Sequence, residues 1–186
     1  KAESIDENIK ILFVSTLEPR KNHIRFLKGL EIMFTNHPET ENRVTLHLVG
    51  NRYAGNTEIP EFVEKFCEKH KSVSWLGVVD DETLRKEYSE CTFTAYPSEI
   101  EGFGMPIIES LWLGKPCLCN KAGSIGELGG KGGCCLTDVM SEEAIAEALY
   151  KMISDKEYLL GLQHEAVERE ITTWDKYVNQ ICDIFG

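Results

Sequence analysis

Short runs of consecutive apolar residues alternate along the chain with longer stretches whose apolar positions recur at helical spacing. Residues 10–15, 44–49, 73–76, 92–96, 116–119 and 134–136 read as strands. Between them, Ile24, Leu27, Leu30 and Phe34 share one helical face, as do Phe62, Val63 and Phe66 over residues 58–70. Asp80 or Asp81 is expected to cap a helix carrying Leu84 and Tyr88. Pro106 opens a helix through Leu113, where its missing N–H costs nothing, and Ser141 opens another. Residues 1–9 read as a polar lead-in, and the end of the chain as helical, broken near Thr172 and Thr173, with a C-terminal helix over 171–186. Strand interiors are apolar throughout rather than alternating, the mark of a parallel sheet covered on both faces. The pattern predicts one doubly wound α/β domain over residues 1–186, and such sheets bind ligands at the carboxyl ends of their strands.

The loops at those ends carry the candidate chemistry. After the fourth strand comes Pro97-Ser98-Glu99-Ile100-Glu101-Gly102-Phe103-Gly104-Met105-Pro106, with Glu109 expected in the first turn of the following helix. Glycines at 102 and 104 let a ligand approach the backbone, and the free amides around Gly104 and Met105 make a seat for phosphate or sugar hydroxyls. Two carboxylates, Glu101 and Glu109, beside an anion seat suit neutral vicinal hydroxyls. Read alone, Glu109 equally well complements the helix dipole while Glu101 is solvated. Arg20 and Lys21, after the first strand, are either the counter-charge for a diphosphate or a solvated pair. The loop over residues 120–128 either wraps a ligand, with Glu127 accepting from its hydroxyls, or is a plain glycine-rich connection.

Acids outnumber bases 31 to 20, giving a net charge of −11, which argues against nucleic acid as a partner. Seven cysteines in an unordered spacing, with no secretory leader, indicate a reducing compartment. No apolar run approaches the roughly 18–20 residues of a membrane span, so a soluble, cytoplasmic chain is expected. Cys117, Cys119, Cys134 and Cys135 lie on strand runs and read as buried inert thiols rather than a metal site. Residues 129–133 lack the glycine and hydroxyl positions of a Walker loop, and the first strand is not followed by G-x-G-x-x-G.

Several segments together resemble family 4 (group 1) glycosyltransferases. Residues 13–22, Phe-Val-Ser-Thr-Leu-Glu-Pro-Arg-Lys-Asn, are similar to the family's opening strand and loop, and Glu101 to Glu109 to its E-x7-E signature. Gly114-Lys115-Pro116, the stretch from Gly123 to Glu127, residues 76–81 and Thr173-Trp174-Asp175 match further positions in the same order. The resemblance implies a Rossmann-like domain, the C-terminal half of a GT-B enzyme, acting without a metal or cofactor in retaining glycosyl transfer from a nucleotide-sugar donor. It implies that Arg20 and Lys21 contact the diphosphate and that Glu101, the catalytic residue, meets the donor sugar with the amides of Gly102, Phe103 and Gly104. Met105 adjoins that seat, Glu109 takes the ribose hydroxyls, and Glu127 belongs to the donor site. It also implies an acceptor-binding N-terminal domain outside this chain, and the Glu-Pro-Arg-Lys-Asn variant resembles mannose-transferring enzymes, making GDP-mannose the expected donor. The sequence departs from the family at Ser15-Thr16, where many members have Gly-Arg, and at Ser124-Ile125-Gly126, where a proline turn is commoner. A GT-B sugar-nucleotide epimerase and a non-catalytic flavodoxin-like module are the competing readings. Trp174 and Tyr177 are expected to pack rather than bind.

Overall fold

A computed structural model of the chain describes residues 8–172, 178–179 and 182–183. Its core is one parallel sheet of six strands: β1 (Ile9–Val14), β2 (Val44–Val49), β3 (Val73–Gly77), β4 (Phe93–Tyr96), β5 (Cys117–Asn120) and β6 (Cys134–Thr137), in spatial order β3-β2-β1-β4-β5-β6. The helices are α1 (His23–Asn36), α2 (Glu58–Lys69), α3 (Asp81–Glu90), α4 (Met105–Trp112), α5 (Gly123–Gly129), α6 (Glu142–Ser154) and α7 (Lys156–Glu168).

Both faces of the sheet are covered, which is why its strands are largely apolar, with polar residues such as Lys10, Thr45 and His47 only at less buried positions or, like Thr94 and Asn120, hydrogen-bonded inside. Ile9, Ile11 and Phe13 of β1 pack with Leu46 and Leu48 of β2 against Phe26, Leu27 and Leu30 of α1 and Ile145 and Leu149 of α6. Leu12, pointing the other way, joins Val49, Tyr88 and Cys91 on the α3 side. Each such fully buried side chain contributes roughly 1.5–3 kcal/mol. α1 and α6 approach closely because position 29 is glycine: a Cβ there would lie 2.7 Å from the Ile145 side chain and 2.9 Å from the Glu142 carbonyl oxygen.

The caps follow the sequence. The Asp80 carboxylate accepts from the Thr83 amide at 2.8 Å, and the Ser141 hydroxyl accepts from that of Ala144 at 3.1 Å. Two elements differ from expectation. Residues 123–129 form a helix, α5, not a wrapping loop, and the Gly126 amide closes its first turn on the Ala122 carbonyl. The polar lead-in ends earlier than residue 9, because Ile9 already pairs with Val44 in the sheet and is buried. The C-terminal chain breaks at Asp155, which caps α7 through the Tyr158 amide, and again after Glu168. Residues 1–7 and the segment holding Thr173, Trp174, Asp175 and Tyr177 lie outside the described residues.

The strand order reverses at β1, whose neighbours β2 and β4 lead to opposite edges. Adjacent connections leave this point in opposite directions, opening a crevice at the carboxyl ends of β1 and β4. The loops carrying Arg20, Lys21 and Glu101 meet there.

Candidate functional site

The β1 and β4 loops are pinned to one another through the backbone of Arg20. Its carbonyl accepts from the Glu99 amide at 2.8 Å and from the Ser98 hydroxyl at 3.0 Å. From the far side, Asn120 donates to the carbonyls of Ser98 and Glu99, and the Ser124 hydroxyl donates to the Glu101 carbonyl at 2.6 Å. A buried pair of hydroxyls, Thr94 and Ser110, 2.6 Å apart, fixes α4 on β4.

This framework brings Arg20, Lys21 and Glu101 into one cluster. The Glu101 Oε1 accepts from the Lys21 ammonium at 2.5 Å and from the hydroxyls of Tyr96 and Ser98 at 2.8 Å each. Its Oε2 lies 2.5 Å from an Arg20 Nη1. Arg20 also makes a two-nitrogen contact with Glu18, at 3.2 and 2.9 Å. Burial opposes ionisation of Glu101, but the donors Lys21, Ser98, Tyr96 and Arg20 outweigh it and hold the carboxyl at about 2. The same burial and the neighbouring carboxylate push the Tyr96 phenol up, so it stays a donor. Two cations against Glu18 and Glu101 leave this cluster formally neutral. Its members differ in exposure: the Lys21 side chain is 9% exposed and Arg20 42%.

Beneath Lys21 lies His23, fully buried, stacked on Phe13 with ring centroids 4.4 Å apart and with Nε2 3.1 Å from the Ser15 hydroxyl. Burial, with the Lys21 charge adding to it, lowers its pKa to about 3, so the imidazole is neutral.

Gly104 caps α4 with φ of 87°, a left-handed backbone that favours glycine. Its carbonyl accepts from the Ile107 and Ile108 amides. Among the described residues, the amides of Gly102, Phe103, Gly104 and Met105 donate to no protein acceptor, and the side chains of Phe103 and Met105 are exposed. Glu109 is the fifth residue of α4 and so sits in its second turn, a correction to the expected first turn that follows from the helix starting at Met105. It is exposed, and the Tyr88 hydroxyl of α3 donates to its Oε2 at 3.3 Å. Glu127 is exposed on α5.

A cleft of about 490 Å³ opens at the crevice, its lining including Ser15, Glu18, Arg20, Lys21, Val49, Val79, Leu84 and, from α4, Pro106. Its lining joins the paired charges of Glu18, Arg20 and Lys21 to apolar Val49, Val79 and Leu84, a mixture suited to a phosphorylated ligand with a flat ring. Sequence reasoning named Arg20, Lys21, Glu101 and Glu109 but missed Tyr96, Ser98, His23 and the hydroxyl of Tyr88. Tyr96 and Ser98 carry a signal in retrospect, as polar groups at the carboxyl end of an apolar strand; His23 and Tyr88 look like ordinary members of apolar helix faces. The four strand cysteines are buried free thiols. Among the described residues no helix is long and apolar enough to cross a membrane.

Residues 1–169 match the family model described as glycosyl transferases group 1. The chain is 31% identical over 144 residues to the O-antigen chain mannosyltransferase B of Escherichia coli, covering 77% of this chain and 36% of that one. It superposes on HepE of Anabaena, solved in complex with UDP and glucose, with a TM-score of 0.72 at 20% identity, covering 96% of this chain and 48% of that one. It superposes as well on the C-terminal domain of a glycosyl transferase group 1 family protein from Francisella tularensis, with a TM-score of 0.73 at 17% identity, covering 93% and 86% of the two chains. The chain spans less than half the length of the E. coli and Anabaena proteins. With a family model matched over nearly its whole length, the chain belongs to the group 1 glycosyltransferases.

Proposed function

We propose that this chain is the donor-binding part of a retaining glycosyltransferase, holding a nucleotide-sugar in the cleft between β1 and β4. The observation that carries the reading is the meeting of a cation pair, an open helix N-terminus and an apolar slot in one cleft. The diphosphate lies between Arg20, Lys21 and the amides from Gly102 to Met105, and the nucleoside lies toward Val49, Val79 and Leu84. Arg20, the exposed member of the pair, turns from Glu18 and Glu101 to a phosphate without baring a buried charge. Lys21 keeps Tyr96 and Glu101 as partners throughout.

In the transfer, the bond between the anomeric carbon and the diphosphate oxygen breaks and its electron pair leaves with the nucleoside diphosphate. The acceptor oxygen bonds to the same carbon, and its proton passes to the departing diphosphate oxygen. Cations and amides fixed beforehand stabilise the charge that grows on the leaving oxygen. Glu101 acts by holding Lys21 at the diphosphate, and the oxygen that Arg20 leaves free when it turns to the phosphate faces the sugar. The likeness to two mannosyltransferases of E. coli supports mannose as the sugar, with GDP-mannose the donor we propose, and the length of the relatives supports an acceptor-binding domain elsewhere in the parent protein. No step assigned to this chain calls for a metal or cofactor.

Calorimetric titration with GDP, UDP and ADP, each beside its unphosphorylated nucleoside, tests the reading. One diphosphate should bind at least tenfold more tightly than its nucleoside, and Lys21→Met should remove most of that advantage. Equal affinity for nucleoside and diphosphate, or no binding of any of the three, would sink it.

A further inference from the structure

We infer that Tyr88, a residue of the α3 core face, is the positioning residue that aims Glu109 at the vicinal hydroxyls of the ligand's ribose. The inference rests on the donor-binding reading above. Tyr88 is 5% exposed, and its ring sits with Leu12, Val49 and Cys91 in the apolar layer that backs the cleft floor of Val14, Val49, Val79 and Leu84. A phenol hydroxyl so placed needs a partner, because an unmatched buried donor is costly. Its partner is the Glu109 carboxylate, 3.3 Å away, so that the bond ties α3 to α4.

From the side of Glu109 the bond matters more. Among the described residues its carboxylate has no other partner. A carboxylate has about four lone-pair sites, so one tether leaves the rest for a ligand. Glu101, by contrast, keeps Lys21, Tyr96 and Ser98 on one oxygen and turns the other, once Arg20 leaves it, to the sugar. Of the two carboxylates in the signature, Glu109 is therefore the one able to accept two hydroxyls at once. The Tyr88 contact is longer than most O–H···O bonds, which cluster near 2.7–2.8 Å. It restrains the carboxylate while leaving it room to turn toward a ligand. Burial and the adjacent Glu109 both push the Tyr88 phenol above its ordinary range, so at neutral pH it is an O–H donor.

The test uses Tyr88→Phe, which keeps the ring and deletes one oxygen, and Glu109→Gln, alone and combined. Each is titrated with whichever of GDP, UDP and ADP binds the unmodified chain, and with the 2′-deoxy counterpart of that nucleotide. The unmodified chain should prefer the ribonucleotide, and Tyr88→Phe should weaken the ribonucleotide about tenfold while changing the deoxynucleotide little. In the Glu109→Gln background the Tyr88→Phe change should add almost nothing, since the two act as a unit. A residue that only packs would weaken both nucleotides alike and add its effect in either background, and that result overturns the inference. If the unmodified chain binds a diphosphate and Tyr88→Phe leaves its ribose preference intact, this inference fails while the donor-binding reading stands. If no diphosphate binds, both fail together.

Discussion

The two carboxylates of the signature, Glu101 and Glu109, are separated by seven residues and live in opposite circumstances. Glu101 is largely buried, carries four donors and is held ionised down to about pH 2. Glu109 stands exposed on α4 with one tyrosine hydroxyl on it. The same residue type in one motif thus serves two ends. One carboxylate is a structural counter-ion that keeps two cations together at a strand end. The other retains the capacity a ligand needs. Charge satisfaction, not residue identity, separates them.

Substitution should expose that contrast most strongly. Glu101→Ala leaves Lys21 buried beside Tyr96 without its carboxylate and should cost about 3 kcal/mol. At roughly 2–4 °C per kcal/mol for a chain of this size, that is a fall of about 10 °C in Tm. Glu109→Ala removes the partner of the buried Tyr88 hydroxyl and should cost about 1 kcal/mol, well under the Glu101 loss because no buried charge is bared. Thermal melts followed by circular dichroism measure both; equal losses would erase the distinction.

A second expectation concerns pH, and it separates the cation side of the cleft from the carboxylate upon it. The buried His23 imidazole has a pKa near 3 in the fold against 6.5 ordinarily, so between those values the unfolded chain binds the extra proton. Stability therefore falls as pH drops below 6.5, by about 2–3 kcal/mol at pH 4.5. Glu101 shifts the other way round: its contribution is present above its ordinary 4.5 and is lost only as pH falls toward 2. His23→Phe, which keeps a ring to stack on Phe13, should flatten the dependence of Tm on pH between 4.5 and 6.5. An unchanged slope in that variant would mean another group controls it.

The smallest expected effect sharpens the comparison within the cluster. Arg20→Gln removes a guanidinium that is 42% exposed and screened by water, so it should cost less than about 1 kcal/mol despite contacts with two carboxylates. A loss in chemical denaturation matching that of Glu101→Ala would show that Arg20, not Lys21, is the cation Glu101 serves.

The sequence alone determined the sheet, because continuous apolar strand runs alternating with 3.6-periodic helices admit few other arrangements, and all six strands stand within about a residue of where the pattern puts them. Position along the chain offered Arg20, Lys21, Glu101 and Glu109 only as groups that could equally be solvated, and it was the resemblance of their motifs to a family that gave them roles. The pattern misjudged residues 123–129, where glycine content suggested loop and the packing of Ile125 and Gly129 under the sheet edge made helix α5. What only the tertiary structure decided is which of these groups bind one another. Lys21 lies 80 residues from Glu101, and Tyr88 lies 21 from Glu109. A hydrogen bond acts over about 3 Å of space and carries no trace of chain separation, so the partners that make one carboxylate a counter-ion and leave the other open appear only when the strands are in register.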